Sequence, residues 1–145
     1  MNNNIQNIEK GLTDLRAAIK MSQPVEVDQD YALLVSVKAL ADCKPNPFWI
    51  KGTNGRMLYI NPAYTVEIGI QADAYMGEKD TGRWDSPTAV MFRDNDGAVI
   101  KEKRAMKFIE DVPINGVIIQ YKVLKWPVYL NGHLIGVAGE ILGKV

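Results

Sequence analysis

The stretch PFWIKGTNGRMLYINPAY, Pro47 to Tyr64, decides how the chain is read. Two short apolar runs, FWIKG and MLYIN, flank TNGR. Asn-Gly supplies the positive φ values of a tight turn, so the stretch predicts a β-hairpin. Asn61-Pro62 follows at once. An asparagine side chain can cap a helix start and proline fits its first turn. PAYTVEIG is therefore expected to be a short helix, stopped by Gly69. A hairpin feeding a helix occurs in many folds, so its meaning depends on what lies around it.

Downstream, IQADAYMGEKDTGRW predicts a loop with one helical turn at 72–76. DSPTAVMFRDNDGAVIKEK (85–103) predicts a long helix, with Ser86 as N-cap and Pro87 as first residue. Ala89, Phe92, Asp96 and Val99 fall on one face. An acid on an apolar face breaks a local rule, and so does Gly97, which costs about 1 kcal/mol relative to Ala in a helix interior. Such conflicts mark either a function or a special packing constraint. For Asp96, a structural hydrogen bond to a nearby backbone donor is expected rather than a role as general base. The remainder, AMKFIEDV, VIIQYKVLKWPVYL and HLIGVAGEIL, is rich in β-branched and aromatic residues. PING and LNGH join these runs, again with Asn-Gly, so they form an antiparallel meander.

Upstream, Ile5, Ile8, Leu12, Leu15 and Ile19 recur at heptad spacing within residues 4–20. A narrow a/d stripe suits a partner helix, and the bland alternative is a helix packed on its own domain. Pro24 breaks this helix, Asp28 offers a cap, and a second helix is expected over 30–42. KPNP then ends it. The fold class is α+β: a five-stranded antiparallel sheet with helices on one face, preceded by two N-terminal helices. The expected division is a helical extension over 1–46 and a domain over 47–145.

Composition excludes several functions. The 145 residues carry 17 basic and 17 acidic side chains, so no global charge steers the chain to nucleic acid or an acidic membrane. KEKRAMK (101–107) is a basic cluster of the size expected at a solvated junction. No apolar run approaches a membrane span, and the N-terminus lacks signal-peptide features. One cysteine, Cys43, fits a reducing compartment and reads as an inert small hydrophobe, so a cytoplasmic location is expected. One histidine, His133, sits by a turn. A zinc site or a His-based triad has too few ligands to build on.

Four strings in order carry a resemblance. PFWIKGTNGRMLYIN, YMGEKDTGRW, FRDNDGAVI and KWPVYLNGHLIGVAGEI together resemble a PAS domain, the sensor module of many bacterial signalling proteins. The match runs from Phe48 to Leu142. Two features depart from the pattern. Gly52 stands where many relatives carry Asp, and EILGKV replaces the usual D-I-T ending before a signalling helix. The resemblance implies a stand-alone module whose output passes through a partner or the N-terminal helices.

It also implies a ligand space between sheet and helices. Tyr121, Val123, Leu134, Gly136 and Ala138 are expected to face it, with Ile60, Trp84, Met91 and Phe92 as lids; the alternative is that these side chains fill the core. A covalent flavin adduct needs a cysteine after the early helices, and haem relatives place a histidine on the long helix. Both are missing here, so these cofactors are not expected and the cofactor stays unknown. The expected function is a cytoplasmic sensory module that forms a homodimer through the heptad helix and reports a small molecule or a partner contact to an effector protein. The alternative is a ligand-free interaction or assembly subunit, accessory to transcription regulation. An enzyme using Asp96 or Glu140 lacks a second group at suitable spacing, so no catalysis is expected.

Overall fold

The computed structural model describes residues 29–145 and, before them, residues 6, 7, 9–11, 13 and 14. The heptad residues Ile5, Ile8, Leu12, Leu15 and Ile19, and the cap Asp28, lie outside the described residues. The chain divides into two compact units, Met1–Lys44 and Pro45–Val145. In the first, helix α1 spans Gln29–Asp42. Its last turn carries a Lys38–Asp42 pair at 2.7 Å, an i,i+4 contact on an exposed face.

The second unit is a five-stranded antiparallel sheet in the order β2-β1-β5-β4-β3. The strands are β1 Phe48–Gly52, β2 Met57–Ile60, β3 Met106–Ile114, β4 Val117–Leu130 and β5 His133–Lys144. Helices α2 Pro62–Ile68, α3 Ala72–Tyr75 and α4 Ser86–Glu102 connect β2 to β3, with a 3₁₀ turn at Asp80–Gly82. The closing strand β5 pairs with both β4 and β1, which seals the meander to the opening hairpin. Pro127 lies beyond Lys125, where β4 loses its β3 partner. Its missing N–H therefore breaks no ladder bond on that side.

Turn chemistry follows the sequence, with two corrections. Asn115-Gly116 and Asn131-Gly132 both take positive φ at each residue, the pattern of type I′ turns. In the first hairpin only Gly55 does so, at φ 77°. Asn54 instead accepts the Arg56 N–H through Oδ1 at 3.0 Å, and Gly55 N–H bonds Gly52 O at 2.9 Å. This is a three-residue loop with an Asx contact. It also accounts for Gly52, because a Cβ there would meet Asn54 Oδ1 at 2.9 Å. At α4, Asp85 rather than Ser86 is the N-cap and accepts the Thr88 N–H at 2.9 Å. Carboxylate and hydroxyl caps serve similarly, so sequence alone does not separate adjacent candidates.

Asn61 ties these pieces together. It is 1% exposed. Its Oδ1 accepts from Tyr64 N–H, capping α2, and from Phe48 N–H, holding the start of β1. Its Nδ2 donates to Asn46 O at 2.9 Å. Three bonds therefore converge on one buried amide. Asn61→Ala is expected to cost about 2 kcal/mol or more, from the lost cap and the stranded backbone groups. Urea unfolding checks this, and a loss below about 0.5 kcal/mol, the level of an ordinary surface change, contradicts it.

Candidate functional site

Strand alternation places one face of β1, β3, β4 and β5 toward the helices. That face carries Trp49 and Lys51, then Glu110 and Val112, then Tyr121, Val123 and Lys125, then Val137, Gly139 and Ile141. Gly139 leaves room for Trp49, since a Cβ there would lie 2.2 Å from its ring. The opposite face carries an aromatic group in which Phe48 contacts Tyr59 and Trp126, with centroids 6.0 and 5.8 Å away. On the helical side the core gathers Trp49, Met57, Tyr64, Tyr75, Phe92, Val123 and Ile141.

Charged groups sit inside this apolar layer. Lys125 is fully buried and Lys51 is 4% exposed. Lys125 Nζ lies 2.8 Å from Asp96 Oδ1 and 2.7 Å from Glu110 Oε1. Lys51 Nζ lies 2.5 Å from Asp80 Oδ2 and 3.2 Å from Asp96 Oδ2. Asp96, on α4, thus bridges two lysines from separate strands. Tyr75 OH donates to Asp80 Oδ1 at 2.5 Å, and Trp84 Nε1 donates to Tyr75 OH at 2.8 Å. Asn95 Nδ2 donates to Glu110 Oε1 at 2.8 Å. Both ammoniums also lie over the Phe92 ring, at 5.2 and 5.4 Å from its centroid. A cation held against a ring face gains further stabilisation.

The bridge explains Asp96 on an apolar helix face. Its partners are two lysine ammoniums, not the backbone donor expected from sequence, because both lysines point inward from the strands beneath α4. Burial pushes the Asp96 carboxyl up, but the charges of Lys125 and Lys51 outweigh it and hold it below the ordinary carboxylate range. Burial pulls Lys125 down, but Asp96 and Glu110 outweigh it and hold its ammonium above the ordinary lysine range. Burial raises the Tyr64 and Tyr75 hydroxyls, aided by the negative charge of Asp80, so both stay protonated.

Two spaces adjoin this network. An interior void of about 20 Å³ is lined by Lys51, Trp84, Phe92, Glu110, Val123 and Lys125, among others. A site needs roughly 10–15 Å³ to hold a water, so this void is nearly filled. A cleft of about 650 Å³ lies between the β1–β2 hairpin and α4. Lys51, Asp80 and Trp84 border both spaces or the network between them.

Of the residues expected to face a ligand, Trp84, Phe92 and Val123 line the interior void. Ile60 and Tyr121 belong to the packed core, and Met91 packs partly buried against it. Leu134, Gly136 and Ala138 border neither space. The expected phase of β5 is one residue off: Val137, Gly139 and Ile141 turn inward, so Gly136 and Ala138 turn away. The network residues Lys51, Asp80, Glu110 and Lys125 were not expected. A signal for the lysines exists, since Lys51 falls in phase with Trp49, and Lys125 with Tyr121 and Val123. Among the described residues no cluster of His, Cys, Asp and Glu could hold a metal ion. Among them, too, no helix is long and apolar enough to cross a membrane.

No protein-family model matches the sequence, and no curated protein sequence does. Solved structures do match. The PAS domain of Bordetella pertussis BvgS is 26% identical with a TM-score of 0.65, covering 77% of this chain and 85% of that one. A phage VqmA, solved as a VqmA–DPO complex, is 21% identical with a TM-score of 0.66, covering 79% of this chain and 54% of that one. The Vibrio cholerae VqmA dimer is 21% identical with a TM-score of 0.64, covering 77% and 51%. The chain thus spans about half the length of the VqmA proteins it matches.

Two predictions follow from the network. Asp96→Asn removes one partner from a buried ion cluster and is expected to cost about 3–5 kcal/mol in urea unfolding. A loss under about 1 kcal/mol, typical of an exposed pair, contradicts the bridge. The pH dependence has two limbs. Asp96, lowered in the fold, contributes stability that is complete above its unfolded pKa of about 3.9 and is lost as pH falls through its folded value. Lys125, raised in the fold, contributes stability that is complete below its unfolded pKa of about 10.4 and is lost as pH rises through its folded value. The acid limb should be shallower in Asp96→Asn than in the wild type; superimposable limbs contradict the assignment.

Proposed function

Because the chain carries a PAS domain, we propose that it is a signal-transduction module that takes up a small molecule, forms a homodimer and passes the bound state to a protein effector. The interior carries this reading. Lys125 and Glu110 are buried charges that converge with Tyr75 and Trp84 among aromatic rings. A few convergent polar groups in an aromatic-lined space orient small ligands in general. Trp84, Phe92 and Val123 line this space, with Ile60, Met91 and Tyr121 packed around it. The void is about 20 Å³, so an occupied state requires the helices to lift from the sheet. That requirement couples occupancy to shape, which is what a reporting module needs. The VqmA structures, one a complex with DPO and one a dimer, support the same reading by likeness of fold.

Dimerisation is assigned to Ile5, Ile8, Leu12, Leu15 and Ile19, whose heptad spacing suits a second copy of the same helix. A second reading, a ligand-free interaction or assembly subunit, is favoured by one specific observation: the interior is nearly full.

Native mass spectrometry of freshly purified protein separates the two. The sensor reading expects a dimer mass carrying a retained small molecule, or a melting temperature raised by a member of a metabolite library. A ligand at a hundred times its Kd stabilises by about 2.7 kcal/mol, which is readily seen. A bare mass with no thermal response refutes the sensor reading and leaves the interaction subunit. Deleting residues 1–20 should give a monomer on sizing, and a deletion variant that stays dimeric refutes the heptad interface.

A further inference from the structure

Gly97 is not accounted for by packing. It sits inside α4 at an ordinary helical conformation, and a Cβ built there meets nothing within 4 Å. Alanine would therefore fit and would favour the helix. Glycine persists at a helix-interior position mainly where a turn, a close approach or a needed space requires it. Neither a turn nor a close approach is present. The space is: Gly97 lines the 650 Å³ cleft between the β1–β2 hairpin and α4.

The cleft has a definite chemistry. Ala89, Val90, Ile100 and Trp84 supply apolar wall. Its acids, Asp80 and Asp96, already have both carboxylate oxygens engaged, by Lys51, Lys125 and Tyr75. Its cations are less committed. Lys51 spends two of its three N–H groups on Asp80 and Asp96. Arg93 is 73% exposed, and its one ion pair among the described residues, with the adjacent Asp94, is long at 3.9 Å. No carboxylate among the described residues pairs with Lys79, which also lines the cleft. Three basic side chains against two acidic ones leave the lining with one positive charge in excess. A neutral guest leaves the rim cations unused, and a cationic guest meets them as like charges.

We propose that this cleft is a ligand site separate from the interior, that it takes a small amphipathic monoanion of the carboxylate type, and that Gly97 keeps its wall open. The apolar body lies on the α4 wall. The carboxylate lies at the rim near Arg93 and Lys79. The site reaches the core through Lys51, a residue of the cleft lining whose ammonium binds Asp80 and Asp96 in the ion network.

The test is a proton–nitrogen NMR titration of the full chain with hexanoate and, separately, with the neutral isostere hexanamide. Hexanoate should give saturable shifts at Gly52, Val90, Arg93 and Gly97, and hexanamide should bind about tenfold more weakly. Arg93→Gln, an exposed change, should remove most of that preference while leaving the melting temperature unchanged. Gly97→Leu should raise the melting temperature yet abolish the hexanoate shifts at the other cleft residues. Non-saturable shifts, equal binding of acid and amide, or undiminished binding by Gly97→Leu each overturn the proposal. So do hexanoate shifts confined to interior residues such as Val123 and Ile141, an outcome that leaves the interior sensor reading standing.

Discussion

Two lysine ammoniums lie inside this small domain, and the rest of the structure is arranged around pairing them. Removing an ammonium from water costs several kcal/mol, so each needs carboxylate partners at bonding distance. Lys51 and Lys125 come from β1 and β4, which β5 separates in the sheet. A shared partner must therefore come from outside the sheet. Asp96 supplies it from α4, and Asp80 and Glu110 complete the set. The position of α4 over the sheet is thus fixed by charge as well as by the apolar contacts of Phe92 and Val99. A sliding helix would break two ion pairs at once.

The consequence is geometric specificity more than raw stability. A buried ion cluster is often no more stable than a well-packed apolar substitute. It does penalise alternative packings, because a misplaced α4 leaves uncompensated charge in an apolar layer. Three carboxylates face two ammoniums, and the surplus is eased by neutral donors: Tyr75 to Asp80 and Asn95 to Glu110. Trp84 in turn donates to Tyr75. No buried side-chain nitrogen or oxygen among the described residues lacks a hydrogen-bond partner.

Much of the fold was legible because its signals are local. Asn-Gly at 115–116 and 131–132 specified two tight turns, Asn61-Pro62 specified a helix start, and runs of β-branched residues specified the strands. Hence the five strands and the helices between them could be read, and the PAS-like order with them. The candidate site was legible only in part, because its signals are pairings across the sequence. Lys51 and Asp96 are 45 residues apart, and nothing local to either announces the other. Only Asp96 and Gly97 stood out, since both offend helix rules where they sit. The phase of β5 failed for a related reason. Its run LIGVAGEI is apolar or small at every position but Glu140, which is in phase with Gly136 and Ala138, so a single charged residue is all that marks the outward side. The face is set by Trp49, which occupies the space that Gly139 leaves open.

The two rule-breaking neighbours on α4 then divide one task between opposite flanks of the helix. Asp96 turns inward and binds the helix to both lysines. Gly97 turns outward and contributes no side chain at all. Their link is Lys51, whose ammonium takes Asp96 and which is also a residue of the open cleft's lining. A charge arriving at the cleft rim acts on Lys51 through its electrostatic field. Any redistribution of the Lys51 contacts between Asp80 and Asp96 changes how firmly α4 is held. The same ion pairs that fix the helix thereby give an outside event a route to the sheet that does not depend on filling the small interior void.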